Sequence, residues 1–141
     1  MVIVLRRIPQ GSKRGDNKFP RNERLHRQRD FERCVKNGRA LRGKLLAAYI
    51  YWHGEQMRRV AFSVGKAVGG AVVRNRIKRW LREAYRTRRW ALNFGFDLLI
   101  VVRPTCGSVR REEIDLEFEQ LLFRAGAVDK SKVAMAGEGK A

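Results

Sequence analysis

The stretch GAVVRNRIKRWLREAYRTRRW, residues 70 to 90, limits the fold more than any other part of the chain. At 100° per residue, Val73, Ile77, Trp80, Leu81 and Ala84 fall within about a third of a helix circumference, so one stripe must be buried against a neighbouring element. The remaining arc carries Arg74, Asn75, Arg76, Lys78, Arg79, Arg82 and Arg86. Counting Arg88 and Arg89, eight Arg and Lys side chains share the stretch with a single carboxylate, Glu83. A solvated helix face ordinarily mixes signs and gains pairs one turn apart. This one lacks the acids to do so, and a counter-charge outside the chain is expected.

The whole sequence points the same way. Its 141 residues suit one domain with one core, and 44% of them are hydrophobic, as in ordinary globular chains. The formal net charge is +18, a field that attracts polyanions such as nucleic acid or an anionic membrane surface. No apolar run approaches the roughly 18 residues of a membrane span. The start, MVIVLRRIPQG, places its charges after its apolar residues, the reverse of a secretory signal. Cys34 and Cys106 lack metal-type spacing and are expected as free thiols of a reducing, cytoplasmic compartment, with a lone disulfide as the other arrangement.

Residues 1–21 mix Gly, Pro, Lys and Arg without sustained periodicity and read as a basic, mobile arm. Residues 126–141 are small and polar and read as a flexible tail, leaving 22–125 as a single folded domain. Within it, DFERCVKNG places Phe31, Cys34 and Val35 at helical spacing, with Gly38 as the stop. LLAAYIYW, residues 45 to 52, reads as a strand with Leu45, Ala47, Tyr49 and Tyr51 on one face and Leu46, Ala48, Ile50 and Trp52 on the other. HGEQ follows as a hairpin-like connection to a second strand, RRVAFSVG. The cationic helix comes next. Then FDLLIVVR, nearly continuous in apolar residues, reads as an interior strand. A last helix runs from an N-cap at Ser108 to Gly126, with Ile114, Phe118, Leu121 and Leu122 inward. The order is helix, strand, strand, helix, strand, helix, with no internal repeat.

The chain offers little for catalysis of its own. Glu112, Glu113, Asp115, Glu117 and Glu119 crowd the last helix and read mostly as a solvated face. His26 and His53 have no partner at ligand or triad spacing, and Asp97 is the one strand carboxylate, so no metal site or hydrolytic constellation is expected. GKAVGGAVV lacks the order of a phosphate-binding P-loop. Two readings of it stand: Gly69 and Gly70 merely turn the chain, or the helix start together with Lys66 contacts a phosphate. Arginine forks grip phosphates bidentately, whereas base reading needs more than Asn75 among the arginines. A folded RNA held by shape fits better than a DNA major groove.

The segment FSVGKAVGGAVVRNRIKRWLREAYR resembles the signature of the bacterial ribonuclease P protein subunit, with Arg74-Asn75-Arg76, Lys78-Arg79 and Arg82-Glu83 matching its central motif. The resemblance extends to LHRQRDFERCVKNGR and DLLIVVRP and covers about residues 24 to 124. It implies an α/β (α+β) two-layer sandwich in α-β-β-α-β-α order, with a left-handed βαβ crossover through the Arg/Lys-rich helix. It implies a non-catalytic protein subunit that helps a catalytic RNA remove the 5′ leader from precursor tRNA, with Mg²⁺ bound mainly by the RNA. The partners are then that RNA and precursor tRNA, with no membrane and no protein partner required. Lys66, Arg74, Asn75, Arg76, Lys78, Arg79 and Arg82 would bind RNA, and Arg27, Phe31, Tyr49 and Ser63 would hold the leader. Core packing is the competing role for Phe31. Val35 stands where many members carry a second aromatic, Ala67 where Lys is common and Gly70 where Asn is common. Two other classes share the composition, a structural RNA-binding protein of ribosomal type and a DNA-binding module.

Overall fold

The structure is a computed structural model that describes Ile8, residues 19–104 and residues 108–138. Among the described residues four α-helices and four strands follow in chain order: α1 (Gln28–Asn37), β1 (Arg39–Arg42), β2 (Leu46–Trp52), β3 (Arg58–Val64), α2 (Ala71–Arg86), β4 (Phe96–Val102), α3 (Arg111–Arg124) and α4 (Lys130–Glu138). The single sheet has the order β1-β2-β4-β3. β2 runs antiparallel to β1 and β4, and β3 runs parallel to β4. α2 is therefore the crossover between two adjacent parallel strands, a connection too long for a tight turn.

The alternation expected of LLAAYIYW is found in β2. Leu46, Ala48 and Ile50 join Leu98, Ile100 and Val102 of β4 in the main core, roofed by Ile77 and Leu81 of α2 and Ile114, Phe118 and Leu122 of α3. Each such aliphatic side chain contributes about 1.5–3 kcal/mol when fully buried. β4 is buried on both faces, as its apolar run requires. Its far face meets α1 through a smaller cluster of Leu25, Cys34 and Leu99, with Phe31, Tyr49, Tyr51 and Ala61 half-buried around it. Sheet and α2/α3 layer make the two-layer sandwich, and α1 covers part of the other side.

The connection between β2 and β3 is not a hairpin. β4 inserts between them, and Gly95, ahead of β4, holds the turn: its carbonyl accepts from His53 and Gly54 while its N–H donates to Met57. The tight antiparallel pair is instead β1 with β2, whose turn is fixed by Glu117. That carboxylate accepts the N–H groups of Lys44, Leu45 and Leu46 at 3.2, 2.7 and 2.5 Å. Gly38, between α1 and β1, is required by crowding rather than by φ. A Cβ there would sit 2.3 Å from the Cys34 carbonyl oxygen and 2.7 Å from that of Ile50.

Both ends of the domain extend past the boundaries expected from composition. Phe19 packs on Phe62 and Tyr85 at ring-centroid distances of 6.0 and 5.1 Å, and Ile8 is buried with its N–H donating to Glu119 at 2.7 Å. Two parts of the stretch read as a mobile arm are thus core. Residues 126–138, read as tail, include α4. Asp129 caps it by accepting the Ser131 and Lys132 N–H groups at 3.1 and 3.4 Å, and Val128 and Val133 are buried at the two positions of a hydrophobic staple. α3 begins at Arg111 rather than next to Ser108, with the Glu113 carboxylate accepting the Arg110 N–H at 3.4 Å. Cys34 is buried and free; Cys106 lies outside the described residues.

Candidate nucleic-acid interface

α2 is laid on the core by Ile77, Leu81, Ala84 and Tyr85, all buried, so the opposite side of the helix is forced outward. Asn75, Arg76, Arg79 and Arg82 are exposed, and Arg74 and Lys78 are half-buried. Among the described residues no carboxylate forms an ion pair with Arg74, Arg76, Lys78, Arg79 or Arg82. The Arg76 guanidinium lies 5.5 Å from the ring centre of Trp80, on one flank of the helix. Gly70 is the N-cap and offers no side-chain bond, and Lys66 stands exposed in the 3-10 turn just before it.

The remaining cations of the stretch have partners inside the protein. Arg86 pairs with Glu83. Arg88 is wholly buried and bonds Asp115 at 2.9 and 2.5 Å, Glu119 at 3.2 Å and the Ala84 carbonyl at 3.0 Å. Arg89 pairs with Glu23, which also bonds Arg58 at 3.3 Å and the Tyr85 hydroxyl. Burial pushes the Glu23 carboxyl up, but the hydrogen bonds from Arg89 and Tyr85 and the charges of Arg58 and Arg89 outweigh it and hold the group below its ordinary value. Of the five acids of α3 expected mostly on a solvated face, Glu112 and Glu113 are exposed, whereas Asp115, Glu117 and Glu119 are engaged within the fold.

A groove of about 600 Å³ opens beside the cationic helix. Phe31 and Leu25 line one wall, Ala61 and Ser63 of β3 form part of the floor, and Lys78 and Arg82 of α2 stand on the other wall. Strand register explains the room. On the α1 side of the sheet the residues align in three rows, Tyr51–Asp97–Arg59, Tyr49–Leu99–Ala61 and Ala47–Val101–Ser63. The small side chains Ala61 and Ser63 at the β3 end leave the space, and Tyr49 closes the same row two strands away. Of the four expected leader residues, Phe31 and Ser63 line the groove directly. Tyr49 is half-buried in the cluster beneath Phe31, and Arg27 is exposed at the N-cap of α1. Phe31 packs on the small core, the competing role weighed for it, and also lines the groove. Val35, one turn further along α1, is 49% exposed.

The groove's first wall is fixed by a charged network that sequence reasoning passed over. Asp97 is wholly buried and accepts from Arg33 at 2.9 Å and from Arg59 at 2.9 and 2.8 Å. Arg59 also reaches Asp30 of α1 at 3.0 Å, and Arg33 stacks 4.6 Å from the Tyr51 ring centre. The network ties α1 to β3 and β4. A lone acid inside an apolar strand was the available signal, since a buried carboxylate needs a cation. The Cys34 thiol beneath it is pushed up to about 12, by burial first and then by the negative charge of Asp97.

A profile of the Ribonuclease P family matches residues 19–126. The chain belongs to the ribonuclease P protein family. A ribonuclease P protein component of Alkaliphilus oremlandii is 34% identical over 108 residues, spanning 77% of this chain and 95% of the relative. That of Dictyoglomus thermophilum is 45% identical over 87 residues, 61% of this chain and 72% of its own length. Among solved structures, the RNase P protein of Thermotoga maritima is 28% identical and superposes with a TM-score of 0.66, covering 72% of this chain and 96% of that one. The protein from Staphylococcus aureus, 25% identical, gives 0.69 over 79% and 95%. The chain shares the mixed α/β, four-stranded architecture of these ribonuclease P proteins, and its family is one of RNA-binding proteins of tRNA processing.

Among the described residues no group of three or more His, Cys, Asp and Glu side chains could hold a metal ion. The buried acids Asp97, Asp30, Glu23 and Glu119 are bound to guanidinium groups instead. Among the described residues, these guanidinium-bound acids do not form a Mg²⁺ site. No described helix is long and apolar enough to cross a membrane.

Proposed function

We propose that this protein serves as the subunit of ribonuclease P that grips the catalytic RNA and holds the 5′ leader of precursor tRNA while the RNA performs the hydrolysis. One observation carries the reading: a helix anchored by its apolar stripe presents cations without carboxylate partners among the described residues, directly beside an aromatic-walled groove. Asn75, Arg76 and Arg79 are exposed on the outer arc of α2 and would meet the folded RNA, with Lys66 and the uncapped start of α2 at one end of that surface. Phe31, Tyr49, Ser63 and Arg27 would serve the leader, whose bases could stack without sequence readout at about 1–3 kcal/mol each. Mg²⁺ would belong to RNA phosphates. The subunit would act in the cytoplasm, where precursor tRNA is made.

The test is leader removal by the cognate catalytic RNA with and without the protein, at two Mg²⁺ concentrations. Faster cleavage and tighter precursor binding at the lower Mg²⁺ are expected, with less effect on mature tRNA. Arg76→Ala with Arg79→Ala should weaken assembly with the catalytic RNA and reduce its salt slope by about 1.4–1.8, two phosphate contacts' worth. Cleavage unaffected by the wild-type protein would refute the reading.

A further inference from the structure

We propose that the cations of α2 are divided between two RNA partners, and that Lys78 and Arg82 hold the substrate's single strand rather than the catalytic RNA. The inference rests on the function proposed above and assigns residues within it. Three observations carry it. First, Arg74, Lys78 and Arg82 recur every fourth residue and form one row along the flank of α2 nearest Tyr85, whereas Arg76 lies on the opposite flank against Trp80. Second, it is Lys78 and Arg82 that reach the groove, where they face Phe31 and Ser63 across its width; Arg76 and Arg79 do not line it.

Third, the groove is lined by β3 residues from both faces of the sheet, Ala61 and Ser63 from one and Val60, Phe62 and Val64 from the other. A cavity can meet both faces of a strand only by passing over that strand's edge. β3 is an edge strand, and among the described residues backbone pairs with its outer side only at Val60, whose carbonyl accepts the Leu25 N–H at 3.0 Å. Beyond Val60 no described backbone pairs with the edge, and the Phe19 ring, packed on Phe62 and Tyr85, lines the groove there. The path therefore leads from the α1 side, over the β3 edge and past Phe19, to the row on α2. A flexible strand with bases on one side and phosphates on the other matches it: bases toward Phe31 and the sheet, phosphates toward Lys78 and Arg82. A rigid duplex, or the surface of a large folded RNA, could not follow a path that bends around a strand edge. Arg74 continues the row, and its Nε is buried without a partner, so the row as a whole has donors to spare.

The experiment compares the full-length variants Lys78→Ala/Arg82→Ala and Arg76→Ala/Arg79→Ala in three titrations. These are binding of protein to catalytic RNA, and binding of the assembled holoenzyme to tRNA with and without an unpaired leader. The groove pair should lose roughly tenfold in affinity for leader-bearing tRNA, with changes below about twofold for leaderless tRNA and for assembly. The outer pair should show the reverse. Lys78→Arg/Arg82→Lys, which keeps both charges, should recover most of the leader-dependent affinity. A groove-pair loss that appears in assembly, or equally with and without a leader, overturns the division. If the wild-type holoenzyme shows no preference for leader-bearing tRNA, the proposed function itself fails, whereas a wild-type preference that survives in the groove pair overturns only the assignment of Lys78 and Arg82.

Discussion

Replacing Asp97 by Asn tests whether the buried charge network is what holds the groove's wall. The change preserves size and removes one charge, leaving Arg33 and Arg59 facing a neutral amide where three hydrogen bonds of 2.8–2.9 Å had converged. Removing one partner of a fully buried ion pair costs about 3–5 kcal/mol, because the charge left behind is uncompensated. Here the penalty is smaller. The Arg33 side chain is 36% exposed and that of Arg59 17%, and Asp30 still accepts from Arg59, so water and a second carboxylate take up part of the charge. About 2–3 kcal/mol remains. For a chain of this size that corresponds to a fall in Tm of about 6–12 °C. Urea unfolding at neutral pH, followed by far-ultraviolet circular dichroism, measures the free energy. Because the network joins α1 to β3 and β4, Asp97→Asn should also weaken leader-dependent tRNA binding while assembly through α2 is retained. A loss below about 1 kcal/mol would mean that the apolar contacts of Leu25, Cys34 and Leu99 hold α1 unaided, and the argument from Asp97 to the groove would be wrong.

Glu23 should make the protein acid-sensitive. Its folded value lies below the ordinary 4.5, so the unfolded chain takes up its proton first, and the stability it contributes is present above about pH 4.5 and lost as pH falls through the folded value. Glu23→Gln should therefore be less stable near neutrality and show a flatter pH dependence of urea midpoints below about pH 5 than wild type. Cys34, wholly buried and with its thiol pushed up to about 12, should resist alkylation in the folded protein at neutral pH and react once urea unfolds it; fast labelling of Cys34 in the native state, read by peptide mass, would contradict its placement.

What the sequence made legible was local, and what it hid was mostly pairing across distance. The stripe of α2 could be read because Ile77, Leu81 and Ala84 repeat with the helical period, and the central place of β4 because a strand buried on both faces has no polar alternation to show. HGEQ misled because a short polar link suggests adjacent strands, while the choice of β4 as the intervening neighbour depends on residues some forty positions away. β1 is four residues with Arg at both ends, too short and too charged to announce itself. α4 carried a readable signal in Asp129 between Val128 and Val133, obscured by the small, polar residues around it. Arg88 and Glu119 gave no warning: a cation among eight and an acid among five look solvated until the packing of α2 against α3 brings them together.

The fate of those eight cations links stability to function. Arg86, Arg88 and Arg89 are matched by Glu83, Asp115, Glu119 and Glu23, while Arg33, Arg58 and Arg59 take Asp97, Asp30 and again Glu23. A chain carrying +18 is under self-repulsion, which works against any compact state. Placing carboxylates inside, at the joints between α1 and the sheet, α2 and α3, and the N-terminal segment and β3, turns them into fasteners where the repulsion is most harmful. The same placement withdraws them from the surface. With Glu23, Asp30, Asp97 and Glu119 buried, the outer face of α2 and the groove rim meet solvent with fewer neutralising acids than the composition suggests. The arrangement that keeps so basic a protein folded is thus also the one that leaves the charge on the outer face of α2 unopposed by carboxylates.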